Sequence, residues 1–173
     1  MASRPYPAPR RTVDGQTWVM SQRDELVREI RALSDAEAAR ALTVLMEDRG
    51  LLSSARELGP LDGELADALK AAGVTPGADG GAGEVARAAL EYAALRGDGV
   101  VGEAVEYARS PMERFDPVSV SVGVLAVTLL QTEVVVERDP RGRWSVTVHK
   151  RALKDAALGR LLTALLSHLT DGK

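Results

Sequence analysis

Asp139-Pro140-Arg141-Gly142 constrains this 173-residue chain more than any other feature. Proline fixes φ near the value needed at the first central position of a type I turn. Asp139 places a short acceptor side chain just before it. Gly142 supplies the left-handed residue of a three-residue hairpin loop with a G1 bulge. The turn therefore predicts an antiparallel hairpin over about 132–138 and 143–150. It pairs Asp139 with Arg143, Arg138 with Trp144, Val136 with Val146 and Val134 with Val148. Side chains alternate along strands, so Val134, Val136, Trp144, Val146 and Val148 share one face. Glu133, Val135, Glu137, Ser145, Thr147 and His149 share the other. A one-residue slip would mix the faces, so turn and pattern agree independently. Two strands alone are marginal in water, so helices must cover the apolar face.

The rest of the chain reads as helix. Its 45 % hydrophobic content is mostly Ala, Leu and Val, and aromatic residues make up only 3 %. Such a composition favours helices. Residues 1–20 form a basic, proline-rich arm with Arg4, Arg10 and Arg11, expected to be flexible. Trp18 and Val19 are placed to fold back on a first helix from Ser21 to about Leu33. Ser34-Asp35-Ala36-Glu37 is a capping-box sequence, starting a second helix that Gly50 ends. Residues 51–60 read as a connector, and Asp62 caps a short helix to about Ala72. Residues 73–83 hold five glycines and one proline. They are the expected linker between an N-terminal helical module (21–72) and a helix-plus-hairpin module (84–173).

Residues 84–96 and 100–109 read as two helices joined by Gly97-Asp98-Gly99. They share a weak echo, Ala89-Leu90-Glu91-Tyr92-Ala93 against Ala104-Val105-Glu106-Tyr107-Ala108. At 117–131 the signals conflict. Asp116-Pro117 starts a helix, yet Val118, Val120, Val122 and Val124 alternate like a strand. The expectation is a helix with Ser119, Gly123 and Ala126 as a small-residue stripe; a third strand is the alternative. Ala152 to about Leu169 is an amphipathic helix on the stripe Leu158, Leu161, Leu162, Leu165 and Leu169. It is expected to cover the hairpin, with any surplus apolar surface forming a subunit interface. The fold class is thus α+β: six to seven helices in a bundle, one hairpin and a C-terminal amphipathic helix.

Charge narrows the functions. The net charge is −3, and arginine outnumbers lysine. Arginine and alanine usage suggests a GC-rich bacterial origin. Without cysteine, thiolate chemistry and Cys-ligated metals are excluded. No phosphate-binding loop, dinucleotide fingerprint, zinc-protease or serine-hydrolase motif occurs. No catalytic residue, cofactor or metal ligand is assigned. No apolar run reaches the roughly 20 residues of a membrane span, and no secretory signal is evident, so a soluble cytoplasmic protein is expected. Glu133 opposite His149 reads as a cross-strand pair rather than a general base. Glu91, Glu106 and Glu113 read as solvated helix faces.

One cationic cluster remains: Arg138, Arg141, Arg143, Lys150, Arg151 and Lys154, with Arg138 able to stack on Trp144. It would either bind an anionic partner or protect a strand edge. The leading expectation is a non-enzymatic interaction module, an adapter or accessory subunit with a protein partner or a second copy. The alternative is a nucleic-acid-binding regulator using the basic hairpin and the arm.

Overall fold

The computed structural model describes residues 14–78, 80–110, 120–131, 134–147 and 155–171, with side chains from residue 22 onward. Among these are one hairpin and eight helices. They are α1 (Asp14–Arg31), α2 (Asp35–Asp48), α3 (Leu52–Leu58), α4 (Gly63–Ala71), α5 (Ala82–Leu95), α6 (Val100–Arg109), α7 (Val122–Leu130) and α8 (Ala156–Asp171). Strands β1 (Val135–Arg138) and β2 (Trp144–Thr147) lie between α7 and α8. This is the mostly helical α+β fold that the sequence predicts. Helix α1 begins at Asp14, earlier than the expected Ser21, so residues 14–20 of the expected arm are helical. Residues 1–13 and the side chains of Trp18 and Val19 lie outside the described set.

α7 is the central helix. Every side chain from Val124 to Leu130 is buried, and all are apolar except Thr128. The Thr128 hydroxyl donates to the Val124 carbonyl at 2.9 Å. A helix apolar all round must lie inside, which decides between helix and strand here. The helix starts later than expected: Ser121 is its N-cap, accepting from the Val124 N–H at 3.4 Å. Asp116-Pro117 and Ser119 lie outside the described residues. Of the small-residue stripe, Gly123 does permit close approach. A Cβ there would sit 3.1 Å from Leu61 and 3.5 Å from the His168 ring.

Local signals placed α2 and α4 correctly. Ser34 and Glu37 form the full capping box. Asp62 Oδ1 accepts from Glu64 and Leu65 N–H at 3.1 and 3.4 Å. α3 stands where a connector was expected, raising the helix number to eight. Its seven residues are too few to hold by propensity. It forms because Ala55 is buried and Leu52 and Leu58 pack on the core beside α7.

The domain boundary expected at 73–83 separates no two cores. α2 packs against α5 and α6, and one hydrophobic cluster runs from Ile30 to Leu166. The glycine-rich segment instead straps α8. The Gly77 N–H donates to Ser167 Oγ at 2.7 Å, and His168 Nδ1 lies 2.9 Å from the Gly80 carbonyl oxygen. Gly77, Gly80 and Gly83 serve contact: a Cβ on Gly80 would lie 2.6 Å from the Ser167 backbone.

α8 also departs from expectation. Leu158, Leu161, Leu162 and Leu165 are each at most 2 % exposed, and Leu169 is partly buried. α8 packs chiefly against α5 and α4, whereas the helix beside the hairpin is α4, through β2. The apolar stripe includes Ala157, Ala164 and Leu166 as well, wide enough to need helices on two sides. Those four leucines therefore leave no surplus surface for a subunit interface. The repeated pentapeptide is not repeated in environment either: Glu91 and Tyr92 are buried, while Glu106 and Tyr107 are exposed.

Candidate functional site: the arginine-bearing hairpin

The predicted register is the observed one. Val136 pairs with Val146 and Arg138 with Trp144. The Asp139 N–H donates to the Arg143 carbonyl and the Gly142 N–H to the Asp139 carbonyl, both at 2.9 Å. Gly142 has φ 84°, the left-handed value that the loop requires. Asp139 Oδ1 accepts from the N–H groups of Arg143 and Arg141 at 2.8 and 2.9 Å. The Arg143 backbone bond is the largest influence holding this carboxyl below its ordinary pKa, outweighing burial, and the Arg143 side chain and Arg141 N–H add to it. Val134, Val136 and Trp144 face inward and are at most 8 % exposed, and Val146 is partly buried. Val135, on the other face, is 45 % exposed. Glu133, Val148 and His149 lie outside the described residues.

Much of the visible positive charge is already matched. Arg138 Nη2 lies 3.3 Å from Asp62 Oδ2, its Nε donates to the Gly142 carbonyl at 3.3 Å, and its guanidinium stands 5.3 Å from the Trp144 ring centroid. The expected stacking is therefore present. Arg143 Nε pairs with Asp139 Oδ2 at 3.1 Å. Arg141 is exposed at the turn, with no ion pair among the described residues. Lys150, Arg151 and Lys154 lie outside them. A concavity of about 740 Å³ opens here, lined by Glu137, Arg138, Asp139, Pro140, Arg143, Trp144 and Ser145. Its two acids and two arginines balance, which gives it no net preference for an anion.

Residue-by-residue reading missed a second ionic centre. Glu91, on α5, is 4 % exposed rather than solvated. Arg31 of α1 grips it with Nε at 2.8 Å and Nη2 at 3.1 Å, and Arg160 of α8 adds Nη1 at 2.5 Å. The hydrogen bond to Glu91 is the largest cause raising the Arg31 pKa. The available signal was position: Glu91 is the lone charge in Ala88–Ala94, a run buried throughout. Both oxygens are taken by guanidinium groups, so the arrangement ties three helices. Glu113 lies outside the described residues.

Tyr92, beside it, has its phenol pKa raised by burial, against the opposing Arg96 charge. Arg96 stands 5.7 Å from the Tyr92 ring centroid. No group of three or more His, Asp or Glu side chains is placed to hold a metal ion among the described residues. No described helix is long and apolar enough to cross a membrane. No protein-family model, curated protein or solved structure matches the chain.

Proposed function

We propose that this protein is a non-enzymatic interaction module, an adapter or accessory subunit, that meets a protein partner with its hairpin. The observation that carries this reading is the hairpin's outer surface. It presents Val135 at 45 % exposure, and an Arg141 without an ion pair among the described residues on a turn fixed by five hydrogen bonds around Asp139. Exposed aliphatic area at the open end of the hairpin and an arginine at its turn, on one hydrogen-bonded support, suit a protein contact. The buried carboxylate of Glu91 is held in ion pairs with Arg31 and Arg160. The leucine stripe of α8 is spent inside the fold, which moves the expected contact from the helices to the hairpin.

The test is affinity co-purification of the intact chain beside Val135→Asp and Arg141→Glu, with light scattering to separate self-association from a foreign partner. The expected result is a protein retained by the parent and lost by both variants, whose thermal melts stay unchanged. Retention by both variants would overturn the assignment. The nucleic-acid reading keeps one supporting observation, the exposed Arg141. It requires binding that weakens steeply with salt and drops in Arg141→Glu.

A further inference from the structure

We propose that the hairpin is a latched element that swings off the bundle as a unit, with Arg138 as the latch and Asp62 as its keeper. This stands independently of the interaction reading.

Three features of the hairpin lead to it. First, its hold on the helices is narrow. Each strand has four residues, and β2 against α4 is its principal helix contact. Next to α7, Gln131 bonds the Val136 carbonyl at 3.3 Å and the Val134 N–H donates to the Leu130 carbonyl at 2.8 Å. Second, Arg138 concentrates the remaining hold in one side chain. It reaches Asp62 across 76 residues of sequence, bonds the Gly142 carbonyl and covers the Trp144 ring. Asp62 divides its carboxylate: Oδ1 caps α4 and Oδ2 receives Arg138. The hairpin is thus fastened to the first turn of the helix it rests on.

Third, the docked state buries a polar group with no described acceptor. Trp144 is 7 % exposed, and its indole N–H is buried without a hydrogen-bond acceptor among the described residues. A buried unmet donor disfavours the closed state, and water satisfies it on opening. Against this stand the burial of Val134, Val136 and Trp144 and the Arg138 contacts. The ion pair is weak by its exposure, 38 % for Arg138 and 40 % for Asp62. An element held by three buried apolar side chains and one such tie opens locally, below the free energy of global unfolding.

Native-state hydrogen exchange of the full chain tests this, comparing peptides from 134–147 with peptides from α5. In the parent protein the hairpin amides should exchange through an opening with little dependence on denaturant, while those of α5 follow global unfolding. Arg138→Gln should speed exchange of the hairpin by about tenfold and leave α5 unchanged. Asp62→Asn keeps a capping oxygen but loses the charge, and should reproduce part of that effect. In a Trp18→Phe background, iodide quenching of Trp144 should rise in parallel. Equal acceleration of hairpin and α5 in Arg138→Gln would make the residue an ordinary contributor to stability and overturn the latch. So would hairpin amides that exchange only by global unfolding.

Discussion

Glu91 concentrates the residue-scale physics of this protein. A carboxylate at 4 % exposure needs its full set of donors, and Arg31 and Arg160 supply them. Glu91→Gln keeps the shape but leaves two guanidinium groups facing a neutral amide. It should lower stability by about 2 kcal/mol, read as a shift in urea midpoint at constant slope. Arg160→Ala should cost about half as much, because Arg31 remains and Arg160 is 47 % exposed. A midpoint unmoved by Glu91→Gln would refute the burial. Glu37 predicts a pH response. The Ser34 hydroxyl at 2.6 Å and the Ser34 N–H at 2.8 Å, in that order of influence, hold its carboxyl below the ordinary value. Its folded pKa thus lies under that of the unfolded chain, near about 4.3. The stabilisation is present above that value and is lost as pH falls through the folded pKa. Glu37→Gln does not titrate, so its deficit in melting temperature should hold steady above about pH 5 and shrink below about pH 4.

Elements were legible where the signal was local. The turn at Asp139–Gly142, the capping box at Ser34 and the cap at Asp62 each fix a backbone through residues within four positions. Where distant packing decided, pattern was silent. α3 exists because a tertiary surface receives it, and the glycine strap is held by Ser167 and His168, about 90 positions on. The glycines make this testable. A Cβ on Gly80 would collide with the Ser167 backbone, whereas Gly102 in α6 and Gly159 in α8 face open space at helical positions. Gly102→Ala and Gly159→Ala should each raise stability by about 0.5–1 kcal/mol. Gly80→Ala should lower it by about 1–3 kcal/mol, displacing the strap. Calorimetric melts of the three variants check both signs at once.

For the whole molecule, the abundance of arginine acquires a different meaning. Arg31, Arg40, Arg49, Arg87, Arg109, Arg138 and Arg160 each bond a carboxylate or carbonyl on another element. Composition could register those charges but not their direction, since pairing across 49 to 80 residues is a property of the packed chain. The candidate site was readable in its turn, register and Arg138–Trp144 stack; the partner of Arg138 was not. The same long-range packing predicts one cooperative unfolding transition by far-ultraviolet circular dichroism, not two steps divided at 73–83. Residues 84–173 expressed alone should show no such transition, because α2 no longer covers α5 and α6.

Glu91 receives one guanidinium from 60 residues earlier and the other from 69 residues later. During synthesis, then, α5 emerges with half of its ionic cradle and waits for the rest. The cleft destined for α8 stays greasy and uncovered until that helix leaves the ribosome. Non-local closure of this kind slows folding and leaves a sticky nascent surface. The interval between translating α5 and α8 is therefore when a chaperone would most readily hold this chain.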